Sequence, residues 1–91
     1  MLMIRWDPEA RADFLGQISY IAERNPNAAD KLYEDIEESV EKAAVNPEMY
    51  ARWRYADTCR IVVRSNYIVI YQVTDTEILV QAFDHARQSN H

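Results

Sequence analysis

The chain has 91 residues, which suits one domain over residues 1–91 and excludes a multidomain protein, because domains usually contain about 100 to 150 residues. Hydrophobic residues make up 48% and charged residues 27%, a balance that excludes a disordered polymer and allows a modest core. The net charge of −5 excludes strong non-specific binding to nucleic acids, since phosphate backbones are bound by clustered cations.

The charge is divided unevenly along the chain. Residues 1–49 carry five Lys or Arg against eleven Asp or Glu, whereas residues 50–91 carry five Arg against four acids. Any contact with RNA or DNA would therefore have to use a local cationic patch.

The N-terminus and the cysteine content predict the compartment. The single cysteine, Cys59, cannot form an internal disulfide, which favours a reducing intracellular setting. Only four apolar residues precede Arg5, far fewer than a signal peptide or a membrane span of roughly 20 residues requires. We therefore expect a cytoplasmic protein without a membrane partner.

The first half of the chain is predicted to be a strand followed by two helices. Residues 2–6 are short, apolar and partly β-prone, and Asp7 and Pro8 form a typical helix start. Apolar residues then recur every three or four positions over residues 8–24 and again from about 28 to 45. The Asn-Pro-Asn segment between these stretches predicts a tight antiparallel helical hairpin.

The second half is predicted to be a loop and three strands. Residues 46–57 have no clear period and are interpreted as a loop across the sheet edge. Residues 58–64, 67–73 and 77–84 are rich in β-prone residues, and Ser65-Asn66 is a plausible two-residue turn. The order β-α-α-β-β-β predicts a two-layer α+β fold, an antiparallel sheet packed by the N-terminal helical hairpin.

Alternation and helical periodicity separate the expected core from the surface. In the first strand of the second half, Cys59, Ile61 and Val63 share one face, whereas Arg60 and Arg64 share the other. We expect the first face, with Cys59 as a buried structural thiol, to point to the core. The helical residues expected to pack are Phe14, Leu15, Ile18 and Leu32. The acids expected on a solvated helix face are Glu34, Asp35, Glu37, Glu38 and Glu41.

Short motifs along nearly the whole chain resemble the RelE/ParE toxin superfamily. They are Trp6-Asp7-Pro8-Glu9-Ala10, Tyr20-Ile21-Ala22, Asn25-Pro26, Ala28-Ala29, Pro47, Asn66-Tyr67-Ile68-Val69-Ile70-Tyr71 and His85-Ala86-Arg87-Gln88. The resemblance implies the toxin of a type II toxin–antitoxin system, neutralised in a hetero-oligomer by a cognate antitoxin encoded beside it. It implies no cofactor.

The superfamily divides by target, and this chain is more similar to the ParE-like branch. RelE-like members cleave mRNA on the ribosome, whereas ParE-like members inhibit DNA gyrase. In the nuclease branch an arginine follows the aromatic residue that opens the middle strand, and here that residue is Ile68. The loop lysines are also missing, since Lys31 and Lys42 both lie in the second helix, and no tyrosine follows Tyr71. The resemblance therefore implies growth inhibition through gyrase and a role in plasmid stabilisation.

Two alternatives stay open. The first is a metal-independent endoribonuclease acting on ribosome-bound mRNA, whose candidate catalytic residues are Arg60, Arg64, His85 and Arg87. The second is a weak or inactive toxin that acts mainly by binding the antitoxin and regulating its own operon.

The loop before the second-half strands supplies most candidates for binding the target or the antitoxin. These candidates are Tyr50, Arg52, Trp53, Arg54, Tyr55 and Arg87. Aromatic residues beside arginines are typical interface anchors, although the same aromatics would also cover the sheet and complete a small core. No metal site is expected, because the histidines, His85 and His91, do not have the i, i+4 spacing of a helical metal site.

Overall fold

The computed structural model describes residues 1–54 and 57–85 of the chain. It confirms the predicted α+β class and the helical hairpin, and it adds one short strand after the second helix. The elements are β1 (Met3–Trp6), α1 (Pro8–Ala22), α2 (Pro26–Val45), β2 (Ala51–Arg52), β3 (Thr58–Val63), β4 (Tyr67–Val73) and β5 (Glu77–His85). Neither helix in the described residues is long and apolar enough to span a membrane.

Capping side chains set the start of both helices. Asp7 accepts a hydrogen bond from the backbone N–H of Glu9 at 2.9 Å, as the Asp-Pro motif predicts. Asn25 accepts one from the backbone N–H of Ala28 at 3.1 Å, so α2 begins at Pro26 rather than near residue 28. A proline fits the first helical position because its missing N–H would have no partner there.

The five strands form one mixed sheet in the order β1-β5-β4-β3-β2. The strands β3, β4 and β5 pair antiparallel with one another, as predicted, and β2 adds an antiparallel edge beside β3, but β1 runs parallel to β5. The reason is β2, which the sequence analysis assigned to a loop. Because β2 lies between α2 and β3, the chain reverses direction once more before β5 than in the predicted order. The strand β5 therefore runs parallel to β1.

The helices cover one face of the sheet with apolar side chains. Cys59, Ile61 and Val63 are buried against them whereas Val62 is 52% exposed, which confirms the predicted alternation. Leu15 is 41% exposed, and its predicted place in the core is wrong, because the adjacent Phe14 already occupies the centre of the buried face of α1. The largest fully buried side chains are Phe14, Leu32, Ile36, Ile61, Val69, Tyr71, Ile78 and Val80.

The hairpin between β3 and β4 turns through three residues rather than the two predicted. Val63 pairs with Tyr67, and the backbone N–H of Asn66 donates to the carbonyl of Val63 at 3.2 Å. Arg64 and Ser65 between them have φ angles of 56° and 64°. Both residues therefore adopt the left-handed conformation that glycine tolerates better than any other residue.

Candidate functional site

The loop between α2 and β3 is held to the sheet by a hydrogen bond from a buried strand residue. The hydroxyl of Tyr71, a fully buried residue of β4, donates a hydrogen bond to the carbonyl of Pro47 at 2.8 Å. The thiol of Cys59 lies 3.8 Å from the same oxygen. Burial raises the pKa of Tyr71, and the neighbouring Cys59 thiol raises the pKa further. The neutral phenol thus anchors the loop that carries most of the predicted binding residues.

Beyond this anchor, the loop carries Trp53 and Arg54, and the indole of Trp53 also lies close to Arg60 of β3. The guanidinium carbons of Arg60 and Arg54 lie 4.6 and 5.2 Å from the ring centroid of Trp53. The backbone N–H of Trp53 donates to the carbonyl of Thr58 at 2.9 Å, which holds the indole beside β3. We call these three residues the Arg–Trp–Arg stack. Within residues 1–54 and 57–85, neither of its arginines forms an ion pair.

The face of the sheet that the helices leave uncovered carries both aliphatic and polar side chains, and we call it the open face. Its polar residues include Asp84 opposite Ile68, and Gln81, which donates to Gln72 at 3.0 Å. Its register brings Val62 opposite Ile68 and Ile70 opposite Ala82 on adjacent strands. Leu79 extends this surface on β5. Ile68 and Ile70 of β4 and Leu79 are all partly exposed. The Arg–Trp–Arg stack borders this surface, since Arg60 pairs across the sheet with Ile70.

The remaining loop candidates lie on a different surface. Tyr50 packs edge-on against Tyr71, with ring centroids 6.4 Å apart, and Arg52 lies on β2 opposite Cys59. Both line a cavity of about 600 Å³ at one end of the sheet. The cavity also contains acidic side chains, namely Glu48, Asp57 and Asp75. The predicted binding residues are therefore divided between this cavity and the open face, and Tyr55 and Arg87 lie outside the described residues.

The candidate nuclease residues occupy separate places. Arg60 belongs to the Arg–Trp–Arg stack on the open face, whereas Arg64 lies in the β3–β4 turn, where its Nε donates to Asp35 of α2 at 2.9 Å. The ring of His85 stacks on the buried Tyr67 at 4.8 Å, on the helix side of the sheet. Among the described residues, the buried Nδ1 of His85 has no hydrogen-bond partner. The structure does not bring these three candidates together, and the fourth, Arg87, lies outside the described part.

One cluster was not foreseen from the sequence. The guanidinium of Arg11 lies 5.0 to 5.9 Å from the rings of Trp6, Phe14 and Tyr33 and forms an ion pair with Glu37 at 2.9 Å. Burial lowers the pKa of Arg11, but its hydrogen bonds to Glu37 and Tyr33 outweigh this and raise it. The i, i+3 spacing of Arg11 and Phe14 was the available signal. The cluster joins both helices to β1, and we interpret it as part of the packing that stabilises the fold.

The described residues contain no group of three or more His, Cys, Asp or Glu side chains arranged to hold a metal ion. Three acids of α2, namely Asp35, Glu37 and Glu38, instead form ion pairs with nearby cations. Glu38 contacts Lys42 at 3.1 Å, and Asp35 contacts Arg64. Half-exposed ion pairs of this kind contribute little to stability, about 0 to 1 kcal/mol each.

One family of known proteins matches nearly the whole chain. Residues 4–90 match the family described as the ParE toxin of the type II toxin–antitoxin system, parDE. A solved structure described as the chromosomal ParDE TA system from P. aeruginosa has a chain with the same fold, at a TM-score of 0.76 and 20% sequence identity. That match covers 93% of this chain and 96% of the other. No curated protein sequence matches the chain.

Proposed function

Because the chain belongs to the ParE toxin family of type II toxin–antitoxin systems, we propose that it arrests growth by poisoning DNA gyrase. It acts in the cytoplasm, and a cognate antitoxin neutralises it in a hetero-oligomeric complex. Loss of the antitoxin releases the toxin, so such a pair would stabilise a plasmid that carries it.

The observation that carries the choice of target is the separation of the candidate nuclease residues. Metal-free cleavage of RNA needs a general base, a general acid and a cation around one phosphate, within hydrogen-bond reach of the reacting atoms. Arg60 faces the open side of the sheet, while His85 stacks on Tyr67 on the helix side. The guanidinium of Arg64 is held by Asp35 of α2. Three groups placed in this way do not converge on one phosphate.

A non-enzymatic poison needs a fixed surface rather than a catalytic centre. The indole of Trp53 lies close to two guanidiniums, at 4.6 and 5.2 Å, and the hydrogen bond from Tyr71 to Pro47 anchors the start of its loop. Tryptophan and arginine are the residues most enriched among interface hot spots. These contacts support a surface that meets a protein target without rearranging.

The experiment is a pair of reactions with the same purified chain. One reaction contains DNA gyrase and relaxed plasmid, and the other contains ribosomes translating a defined mRNA. We expect supercoiling to stop while the mRNA stays intact. Cleaved mRNA with normal supercoiling would contradict the proposal and would make Arg60, Arg64, His85 and Arg87 the residues to replace first.

A further inference from the structure

The segment of residues 47–53 brings Trp53 to the edge of the sheet with little backbone pairing of its own. Its strand, β2, has two residues and pairs with β3 at the outer edge of the sheet. A further backbone hydrogen bond runs from the N–H of Trp53 to the carbonyl of Thr58 at 2.9 Å. Holding a backbone in one conformation costs conformational entropy, and so short a strand offsets little of that cost. The position of Trp53 therefore depends on contacts outside the strand ladder.

Two buried side chains supply such contacts at the start of the segment. The carbonyl of Pro47 accepts a hydrogen bond from the hydroxyl of Tyr71 at 2.8 Å, and the sulfur of Cys59 lies 3.8 Å from the same oxygen. Tyr71 is 0% exposed and Cys59 is 4% exposed. The two residues are paired across β3 and β4, and Cys59 also lies opposite Arg52 of β2. The carbonyl of Pro47 is thus tied to the core of the sheet rather than to another part of the loop.

Tyr71 also contacts the middle of the segment. Its ring packs edge-on against Tyr50, with centroids 6.4 Å apart. Trp53 follows three residues later, and its indole centroid lies 4.6 Å from the guanidinium carbon of Arg60 on β3. Any shift of the segment relative to β3 would move the indole relative to Arg60. One buried side chain therefore helps to set where the Arg–Trp–Arg stack lies.

A contact residue that is fixed before binding gives a higher affinity than one that is ordered on binding. The entropy lost on ordering a loop is subtracted from the free energy of its contacts, so a preorganised loop binds more tightly. Tryptophan is among the side chains that contribute most to interfaces. Tyr71 is fully buried and cannot touch a target itself, so any effect it has on the target must pass through the segment that it holds.

We infer that Tyr71 is a positioning residue for gyrase inhibition: it holds residues 47–53 through the carbonyl of Pro47 and thereby fixes Trp53 where it meets the target. This inference rests on the proposed function, because it takes gyrase as the target. It adds the contact residue, Trp53, and the buried group on which the placement of that residue depends.

The test is a double-mutant cycle on the inhibition of gyrase supercoiling by the antitoxin-free chain. We expect Trp53→Ala to raise the half-inhibitory concentration about tenfold or more, as loss of an interface hot spot does. Tyr71→Phe should raise it about three- to tenfold, because the loop must then be ordered on binding. The double variant should match Trp53→Ala within about twofold, since a misplaced segment matters little once its contact residue is gone.

The matched control is Tyr67→Phe, the same substitution on the same strand. Tyr67 is also buried, but its ring stacks on Phe83 and His85 of β5, about 13 Å along the strand from Tyr71. Its half-inhibitory concentration should stay within about twofold of that of the unaltered chain, as for a site that is independent of the contact. Circular dichroism and thermal unfolding establish that every variant is folded at the assay temperature.

Tryptophan fluorescence tests the positioning without gyrase. The chain has two tryptophans, so Trp6→Phe leaves Trp53 as the only emitter. In this background we expect acrylamide to quench Trp53 with a higher constant after Tyr71→Phe, and with an unchanged constant after Tyr67→Phe.

The outcomes separate this inference from the proposed function. Effects of Tyr71→Phe and Trp53→Ala that multiply in the double variant would show that Tyr71 acts only through overall stability and would overturn the inference. Full inhibition by Trp53→Ala, or equal quenching of Trp53 with and without the Tyr71 hydroxyl, would also overturn it while leaving gyrase as the target. A folded, unaltered chain that does not inhibit supercoiling would instead overturn the proposed function.

Discussion

Tyr71 joins the core of the sheet to the loop that carries the Arg–Trp–Arg stack. Its ring is fully buried and its hydroxyl reaches the carbonyl of Pro47 at 2.8 Å. The sequence placed Tyr71 in a strand, but its hydrogen bond was not predictable, because the loop that provides Pro47 has no periodicity. The contact depends on tertiary packing that brings residues 24 positions apart together.

We predict that Tyr71→Phe destabilises the fold. The substitution keeps the ring but leaves the carbonyl of Pro47 without the hydroxyl, at a cost of about 1 to 2 kcal/mol in the free energy of unfolding. Urea unfolding measures the difference. Tyr20→Phe removes a hydroxyl from a residue that is 49% exposed and serves as the control, with no change expected. Equal stabilities of all three proteins would show that the hydrogen bond contributes nothing.

The same residue predicts a loss of stability at alkaline pH. Burial raises the pKa of Tyr71 above its ordinary value of 10.0. Between the unfolded and the folded pKa, the folded state holds a proton that the unfolded state has released. The free energy of unfolding therefore falls as the pH rises above about 10.

Urea unfolding from pH 8 to pH 11 measures this slope. We expect Tyr71→Phe to show a shallower decline above pH 10, because the group responsible is gone. Parallel declines in the two proteins would assign the alkaline loss of stability to other groups.

Among the elements, the long strands and both helices were predicted well, whereas the short strand β2 and the turns were not. Alternation identified Cys59, Ile61 and Val63 as core residues, because a strand with one covered face repeats every two residues. The strand β2 has only two residues and was missed, since so short an element shows no period. That omission also produced the wrong direction for β1 relative to β5.

At the β3–β4 turn, a serine-to-glycine substitution should raise the free energy of unfolding, whereas the same substitution inside a helix should lower it. Ser65 has a φ of 64°, which is strained for a residue with a Cβ atom, so Ser65→Gly should stabilise the fold by about 0.5 to 1 kcal/mol. Ser39 lies inside α2, where Ser39→Gly should instead destabilise it by about 0.5 kcal/mol. Chemical unfolding measures both. Destabilisation by Ser65→Gly would show that the serine side chain contributes more than the strain it causes.

At the scale of the whole molecule, the two layers separate two kinds of surface. The helical layer carries the ion pair of Arg11 with Glu37, whereas the open face carries aliphatic residues, the ion pair of Arg5 with Glu77 and the stack of Arg60 on Trp53. Sequence alternation placed Arg60 opposite the core, but it did not show that Trp53 would lie beneath it. Which loop residues reach the open face, and which reach the cavity near Tyr50, depends on the path of the loop.

This organisation suits a protein that is alternately free and covered. In the proposed function an antitoxin covers the free chain, and no catalytic centre is needed for toxicity. Candidate contacts with gyrase remain the loop residues on both surfaces, with Trp53 and Arg54 on one and Tyr50 and Arg52 on the other.

The central claim is that the free chain inhibits gyrase and that the antitoxin prevents this. The most direct measurement is ATP-dependent supercoiling of relaxed plasmid by purified gyrase, with increasing amounts of the free chain or of its preformed complex with the antitoxin. We predict that the free chain abolishes supercoiling in a dose-dependent way and that the complex leaves it unchanged. Full supercoiling at every concentration of a folded, antitoxin-free chain would contradict the account.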